Sequence, residues 1–348
     1  MLKKILVLFL LLCLLCGCAL PAPVQDAAPS SAPEADSLYV HFIDVGQADC
    51  ALLSCGGEYM LIDGGNVEDG ALVVSYLESQ GVETLDTVVC THAHEDHVGG
   101  LPSVLAVYPT ERVFSPTTTY ASGCFDDFMY YADQQGLTVQ IPAPGDRFTL
   151  GSAEVTVLGP VKTYADTNDT SIVLKAAFGS TAFLFTGDME TGAENDMLDY
   201  WEGRMDWNVD VLKVGHHGSS TSSSYRLIYE TDPQYAVISV GADNSYGHPH
   251  DEIVERYNDA GIPMLRTDEL GTIIAVSDGT DISITWEKTQ NAPAPAEPAE
   301  IQYIGNVNSG KFHSPTCANL PKEENRTYFD SYQEAIDAGY TACGSCLG

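Results

Sequence analysis

From Leu38 onward, apolar residues arrive in short dense runs, and the runs predict elements. Those at 39–43, 51–53, 59–62, 87–90, 155–158, 172–176, 182–185, 209–214, 236–240 and 273–276 have the length and the β-branched or aromatic content of strands. A period near 3.6 predicts helices over 71–80, 101–107, 125–135 and 250–260. Strands outnumber helices, and the helices come late after each pair of strands. The pattern predicts an α/β fold in which two sheets pack together with helices outside.

Composition narrows this picture. Hydrophobic residues make up 44% of the 348-residue chain, enough to build a large core, which excludes global disorder. Lys and Arg number 15 against 49 Asp and Glu, a formal net charge of −34. The basic footprint of a general nucleic-acid binder is therefore missing. Phosphate chemistry on such a chain needs local positive charge, and bound metal is the obvious source.

Polar and proline-rich stretches divide the chain. Residues 1–18 carry Lys3 and Lys4 ahead of a short apolar run, which fits a secretory signal better than a membrane span. The run ends Leu15-Cys16-Gly17-Cys18, which resembles a bacterial lipoprotein cleavage site, and that resemblance makes Cys18 the lipid-bearing N-terminus. The expected location is extracellular, lipid-anchored to the outer face of the cell membrane, or secreted. Residues 19–37, rich in Pro, Ala and Ser, read as a tether, and 289–300 as a linker. Two folded units are expected, 38–288 and 301–348.

Candidate chemistry sits just after the predicted strands. The densest stretch is Thr91-His92-Ala93-His94-Glu95-Asp96-His97, directly after the run 87–90. Imidazoles and carboxylates packed into one strand-end turn suit zinc, manganese or iron. Further polar groups follow other strands: Gly187-Asp188-Met189-Glu190 after 182–185, Gly215-His216-His217-Gly218-Ser219 after 209–214, and His248 after 236–240. Glu190 lies two residues past Asp188, so an extended backbone points both carboxylates the same way.

With His92, His94, Asp96 and His97 matching H-x-H-x-D-H, the chain resembles the metallo-β-lactamase superfamily over most of 38–288. The segments His41-Phe42-Ile43-Asp44-Val45-Gly46-Gln47-Ala48-Asp49 and Leu212-Lys213-Val214-Gly215-His216-His217-Gly218-Ser219 look like its ComEC-like (competence, DNA-uptake) branch, which also holds choline-phosphate esterases. The resemblance implies an αββα sandwich holding two divalent ions, zinc or manganese. His92 and His94 would bind one, Asp96, His97 and His217 the other, and Asp188 would bridge. It further implies catalytic roles for Asp188 and for His216, which faces substrate; we assign Glu190 to orient His216. His248 and Ser219 are candidate substrate contacts, and the run 219–224 could line a phosphate pocket with hydroxyls. Asp44 and Asp63 are expected to steady the ligand loops. The superfamily's further histidine before the run 172–176 is absent; Thr167-Asn168-Asp169-Thr170-Ser171 stands there, leaving water or Asn168 to complete the first site.

In the last segment, His313 with Cys317 and Cys343 with Cys346 form two close ligand pairs that read as a structural zinc site. A unit this small has little core, so a metal staple would stabilise it. The segment resembles the Ada zinc-binding domain, in which four cysteines bind zinc and the first accepts a methyl group. His313 occupies that first position here, so the zinc site carries over and the alkyl transfer does not. Lys311, Lys322 and Arg326 face five acids in the module, which weakens any contact with DNA. Cys50 and Cys55 flank 51–53 and could bridge, while Cys90 reads as a small buried residue.

These readings converge on an exported dinuclear metal-dependent hydrolase, a phosphodiesterase or nuclease acting on DNA. The alternatives are a cell-envelope phosphodiesterase of the choline-phosphate type and a non-catalytic surface protein that binds nucleic acid or envelope. The membrane is expected as a partner only through the N-terminal lipid, and no segment identifies a protein partner.

Overall fold

Strands in the middle of the chain are apolar on both faces because each sheet is covered twice. The computed structural model describes residues 36–288, 303–314, 317–330 and 332–347. The expected signal, tether and linker lie outside the described residues, apart from Asp36 and Ser37. In chain order the main unit runs β1 (Leu38–Phe42), β2 (Ala51–Cys55), β3 (Glu58–Ile62), α1 (Gly70–Ser79), β4 (Thr87–Val89), α2 (Glu95–Val98), α3 (Leu101–Val107), β5 (Val113–Phe114) and α4 (Gly123–Gln134). It continues through β6 (Arg147–Leu150), β7 (Ala153–Gly159), β8 (Val173–Phe178), β9 (Thr181–Phe185), α5 (Thr191–Trp201), β10 (Val211–Lys213) and α6 (Tyr225–Thr231). The last elements are β11 (Tyr235–Ile238), α7 (Asp251–Asp259), β12 (Met264–Arg266), α8 (Thr267–Leu270), β13 (Ile273–Ser277) and β14 (Ile282–Trp286).

Among the described residues of this unit, two seven-stranded sheets form, ordered β14-β13-β1-β2-β3-β4-β5 and β12-β11-β10-β9-β8-β7-β6. Alternation within each strand assigns side chains to layers. Val40, Phe42, Leu53, Met60 and Ile62 of the first sheet meet Val155, Leu174, Phe183, Phe185 and Val211 of the second in one buried cluster. Leu52, Leu61 and Val88 point the other way and pack under Leu77, Leu101, Val104 and Phe125. Leu184, Leu212, Ala236 and Ile238 do the same under Met197, Leu227, Ile253 and Tyr257. The result is the four-layered αββα sandwich.

Parallel pairing positions the functional loops. β3 runs parallel to β4, and β9, β10 and β11 run parallel to one another. The turns after β4, β9, β10 and β11 therefore gather along the carboxyl rim, the usual place for a site in α/β sheets.

The C-terminal module builds its own sheet from β15 (Tyr303–Asn306), β16 (Lys311–His313), β17 (Arg326–Phe329) and β18 (Thr341–Ala342), with α9 (Tyr332–Asp337) beside it. Its small apolar cluster of Tyr303, Phe312, Phe329, Ala335 and Leu347 also takes in Tyr225, the first residue of α6. Cys50 and Cys55 are free buried thiols in two different core layers, so the possible bridge between them does not form. Cys90 is a buried thiol that donates to the His92 carbonyl at 2.9 Å.

Candidate metal centre

Three turns deliver the ligands. The turn after β4 carries His92 and His94, and α2 follows with Asp96 and His97. The turn after β9 brings Asp188, where Gly187 has φ 53° and a Cβ would lie 2.8 Å from Ser171 Oγ, so glycine is required. After β10 the chain turns through His216 and His217, both in the left-handed region at φ 51° and 53°. Such conformations cost roughly 1–3 kcal/mol each and persist at functional sites where surroundings enforce them. Here His216 N donates to Gly187 O at 3.1 Å and Ser219 N to His216 O at 2.8 Å.

The structure gathers four of the expected ligands into one cluster, with His92 and then His94 beside it. Single ligand atoms of Asp96, His97, Asp188 and His217 all lie within 4.8 Å of one another. Asp188 is 2% exposed, and its carboxylate stands 3.2 Å from His97 Nε2, 3.7 Å from His217 Nε2 and 3.9 Å from His92 Nε2. His92 Nε2 and His94 Nδ1 are 3.1 Å apart, and Asp96 lies 3.3 Å from His217 Nε2. Each contact joins groups that serve a cation better than one another.

Two observations test the fit of a cation. Among the described residues, His97 Nε2, His217 Nε2 and Asp188 Oδ1 are buried without a hydrogen-bond partner. Such orphans are rare in proteins and call for an ion or water. The protonation balance adds to this. Burial opposes charge on His217, yet Asp188 and Asp49 outweigh it and raise the imidazole to about 10. Burial opposes charge on His97 too, but Asp188, Asp63 and Asp96 lift it well above the ordinary value. Against the same burial, His97 and His217 hold Asp188 far below the carboxylate range. Carboxylates that need positive charge and imidazoles aimed at them fit divalent ions of the zinc and manganese kind.

Groups behind the ligands fix their rings. Asp63 Oδ2 accepts from His97 Nδ1 at 2.8 Å, and the same carboxylate accepts from Thr91 N and Thr91 Oγ1, both at 2.7 Å. Asp63 therefore steadies the loop as expected. Asp44 does not. It pairs at the surface with Lys288 at 3.3 Å, and Asp49, five residues on, takes the role. Asp49 lies 3.4 Å from His217 Nδ1, which also faces Ser239 O at 3.0 Å, and is paired with the buried Lys213 at 2.8 Å. Burial alone would raise the Asp49 carboxyl; Lys213 and His217 hold it well below the usual range.

His216 is 22% exposed at its side chain and borders the cluster, with Nε2 3.7 Å from Asp188 and Nδ1 3.7 Å from Glu190. Thr221 Oγ1, one of the hydroxyls of the run 219–224, is nearer to Nδ1, at 3.2 Å, a pairing with His216 that nothing in the sequence signals. The hydroxyl run is mostly spent internally. Ser222 donates to Met189 O, Ser223 accepts from Tyr257, and Ser224 caps Leu227 N. Ser219 is 5% exposed and meets Thr221 Oγ1 at 3.1 Å, so the phosphate-pocket expectation reduces to Ser219 and Thr221 beside His216. The buried Glu194 carboxylate braces this loop by accepting from Ser223 N and Ser224 N at 2.6 and 2.8 Å. His248 lies with its ring 5.8 Å from His216, under Tyr246, and burial together with three nearby imidazoles lowers it to about 4. It stands as a neutral ring at the rim.

A family model for the metallo-beta-lactamase superfamily matches residues 43–242. The chain belongs to this superfamily. Its C-terminal part matches the metal binding domain of Ada over residues 292–347. This metallo-β-lactamase chain is 28% identical to ComE operon protein 3 of Bacillus subtilis (strain 168) over 253 residues, 67% of this chain and 32% of that protein. It is 30% identical to competence protein ComA of Neisseria gonorrhoeae over 250 residues, 70% of this chain and 33% of the relative. The chain thus spans about a third of the length of these relatives. The metallo-beta-lactamase fold protein YhfI from Bacillus subtilis superimposes with a TM-score of 0.48 at 13% identity, covering 70% of this chain and 100% of that one.

In the module, His313, Cys317, Cys343 and Cys346 bring ligand atoms within 4.8 Å of one another, with His313 Nδ1 3.3 Å from Cys317 Sγ. One imidazole and three thiols suit a closed zinc site. None of these groups enters the Asp188 cluster. Truncation after Lys288 is expected to leave hydrolysis of a small diester intact while exposing Tyr225, measured as unchanged kcat and a lower Tm.

Proposed function

We propose that the protein is an exported, metal-dependent phosphodiesterase whose substrate is DNA, held at the outer face of the membrane by lipid on Cys18. Among the described residues, no helix is long and apolar enough to cross a membrane. The observation that carries the hydrolytic reading is the group of orphaned ligand atoms converging on Asp188 with His216 beside them. Divalent ions held there by His92, His94, Asp96, His97, Asp188 and His217 would supply Lewis acidity, lowering the pKa of water and neutralising phosphoryl oxygens. The chain's own residues do the rest. Asp63 and Asp49 hold the His97 and His217 rings, and His217 is kept out of solvent at 1% exposure. His216 presents Nε2 to the reacting region while Thr221 and Glu190 occupy its Nδ1 side, so a proton on Nε2 can pass to a leaving oxygen.

His216→Ala is expected to lower kcat about a hundredfold with metal content unchanged. Loss of metal in that variant would show that His216 and His217 exchange roles.

DNA is supported by the resemblance to the ComEC-like branch and by the name of one relative, competence protein ComA. A second reading is favoured by the cleft of about 550 Å³ beside Asp96, lined by Asp44, Glu68, Asp69, Glu95 and Tyr246. Its carboxylates repel a polyanion and suit an envelope phosphodiester with a cationic group, such as a choline phosphate. Cleavage of single- and double-stranded DNA is compared with cleavage of a choline phosphodiester as salt rises. DNA cleavage with a steep loss of affinity in salt supports the first reading; a choline ester cleaved with little salt dependence, and DNA left intact, supports the second.

A further inference from the structure

The donors around Asp188 are unevenly divided. Among the described residues, Asp96, His97 and His217 complete one cluster with it, whereas His92 stands 3.9 Å from its carboxylate with His94 3.1 Å further along. The sequence holds no histidine between His97 and His216 to supply a third imidazole.

Asn168 lies on the segment that is tied to both turns concerned. It opens the short 3-10 turn Asn168–Thr170 that leads into β8. Ile172 N donates to Thr91 O at 2.9 Å, which ties this segment to the turn carrying His92. Ser171 Oγ donates to Asn168 O at 2.7 Å and accepts from Asp188 N at 3.0 Å, which ties it to the turn carrying Asp188. Glu190 N donates to Asp169 Oδ1 at 3.1 Å, a second link to that turn. The Asn168 side chain is 9% exposed. Its Nδ2 donates to Glu190 Oε1 at 3.5 Å, and the planar amide then directs Oδ1 away from Glu190. That oxygen is buried without a hydrogen-bond partner, as are Asp188 Oδ1, His97 Nε2 and His217 Nε2.

We propose that Asn168 Oδ1 is the third protein donor to the cation held by His92, His94 and Asp188, with Glu190 as the positioning residue that orients the amide. A neutral amide oxygen here, against the second carboxylate of the other cluster, makes this the weaker of the two sites, and an oxygen in place of a third imidazole suits manganese more than an all-histidine site would. The assignment rests on the reading of a metal pair at Asp188 and on no particular substrate.

The full chain, with zinc retained in its C-terminal module, is titrated with Mn(II) and followed by calorimetry and by electron paramagnetic resonance. The wild type is expected to bind two equivalents and to show an exchange-coupled dinuclear signal. Asn168→Ala is expected to raise the dissociation constant of the weaker equivalent by about tenfold or more, leave the tighter one unchanged and give a mononuclear signal at matched metal. Asn168→Asp, which keeps the oxygen and adds charge, is expected to tighten the weaker equivalent and retain the coupled signal. It also serves if Asn168→Ala does not fold. Wild-type dissociation constants in Asn168→Ala, loss of both equivalents together, or an unchanged weaker equivalent in Asn168→Asp overturn the assignment. Because the readout is metal binding, a protein that behaves as expected here but cleaves no diester overturns the phosphodiesterase reading and leaves this one standing.

Discussion

Asp188→Ala is expected to lower kcat/KM for a small phosphodiester by about a thousandfold or more, the loss of several kcal/mol of charge stabilisation. The same variant should keep both sheets, because Asp188 lies in a turn beyond the end of β9 and packs against ligand side chains rather than the core. Its carboxylate lies within 3.9 Å of His92, His97, His216 and His217, so removing it leaves four imidazoles converging on one volume without a counter-charge. Steady-state kinetics with metal analysis and circular dichroism check this. Turnover within a few-fold of wild type would place the chemistry elsewhere.

The second large effect concerns stability. Lys213→Met is expected to destabilise the fold by about 3–5 kcal/mol, because it strands a buried carboxylate. Asp49 and Lys213 have side chains only 7% and 5% exposed and sit 2.8 Å apart, so neither charge has water to fall back on. Replacing both, as Asp49→Leu with Lys213→Met, should recover most of that loss. The double variant should nonetheless bind metal about tenfold or more weakly, since His217 then keeps only the Ser239 carbonyl behind its ring. Urea unfolding and metal titration separate the two roles. A Lys213→Met protein as stable as wild type would mean that the pair carries no weight in the fold.

Much of this architecture was legible because buried strands and ligand turns leave local marks. The runs at 39–43, 59–62 and 182–185 fall within a residue or so of β1, β3 and β9, where apolar content on both faces matches burial in a covered sheet. β5, with two residues, is too short for a period to register, and β12 (Met264–Arg266) is half-buried, has no β-branched residue and ends in Arg, so no apolar run marks it. α5 was missed for a different reason. Thr191–Trp201 is acid-rich, and its buried face rests on Ala193, Glu194, Met197 and Leu198, so it reads as polar.

The site divides the same way. His92, His94, Asp96 and His97 lie within one turn and announce themselves by spacing, whereas Asp49 finds Lys213 and His217 only through the pairing of distant segments. Asp44 and Asp49 sit in the same loop and nothing local tells them apart; burial does, Asp49 being 5% exposed and the Asp44 side chain 27%. The serine run shows the converse. Hydroxyls that suggest a ligand pocket are consumed in bracing the turn after His217.

If cations at the Asp188 cluster drive the proposed phosphodiester hydrolysis, activity must follow metal. The protein is stripped with chelator and bis-p-nitrophenyl phosphate cleavage is followed as Mn(II) or Zn(II) is restored. No turnover is expected in the stripped protein, and its return is expected as metal is added. Equal turnover with and without metal, or none in the fully loaded protein, would contradict this reading.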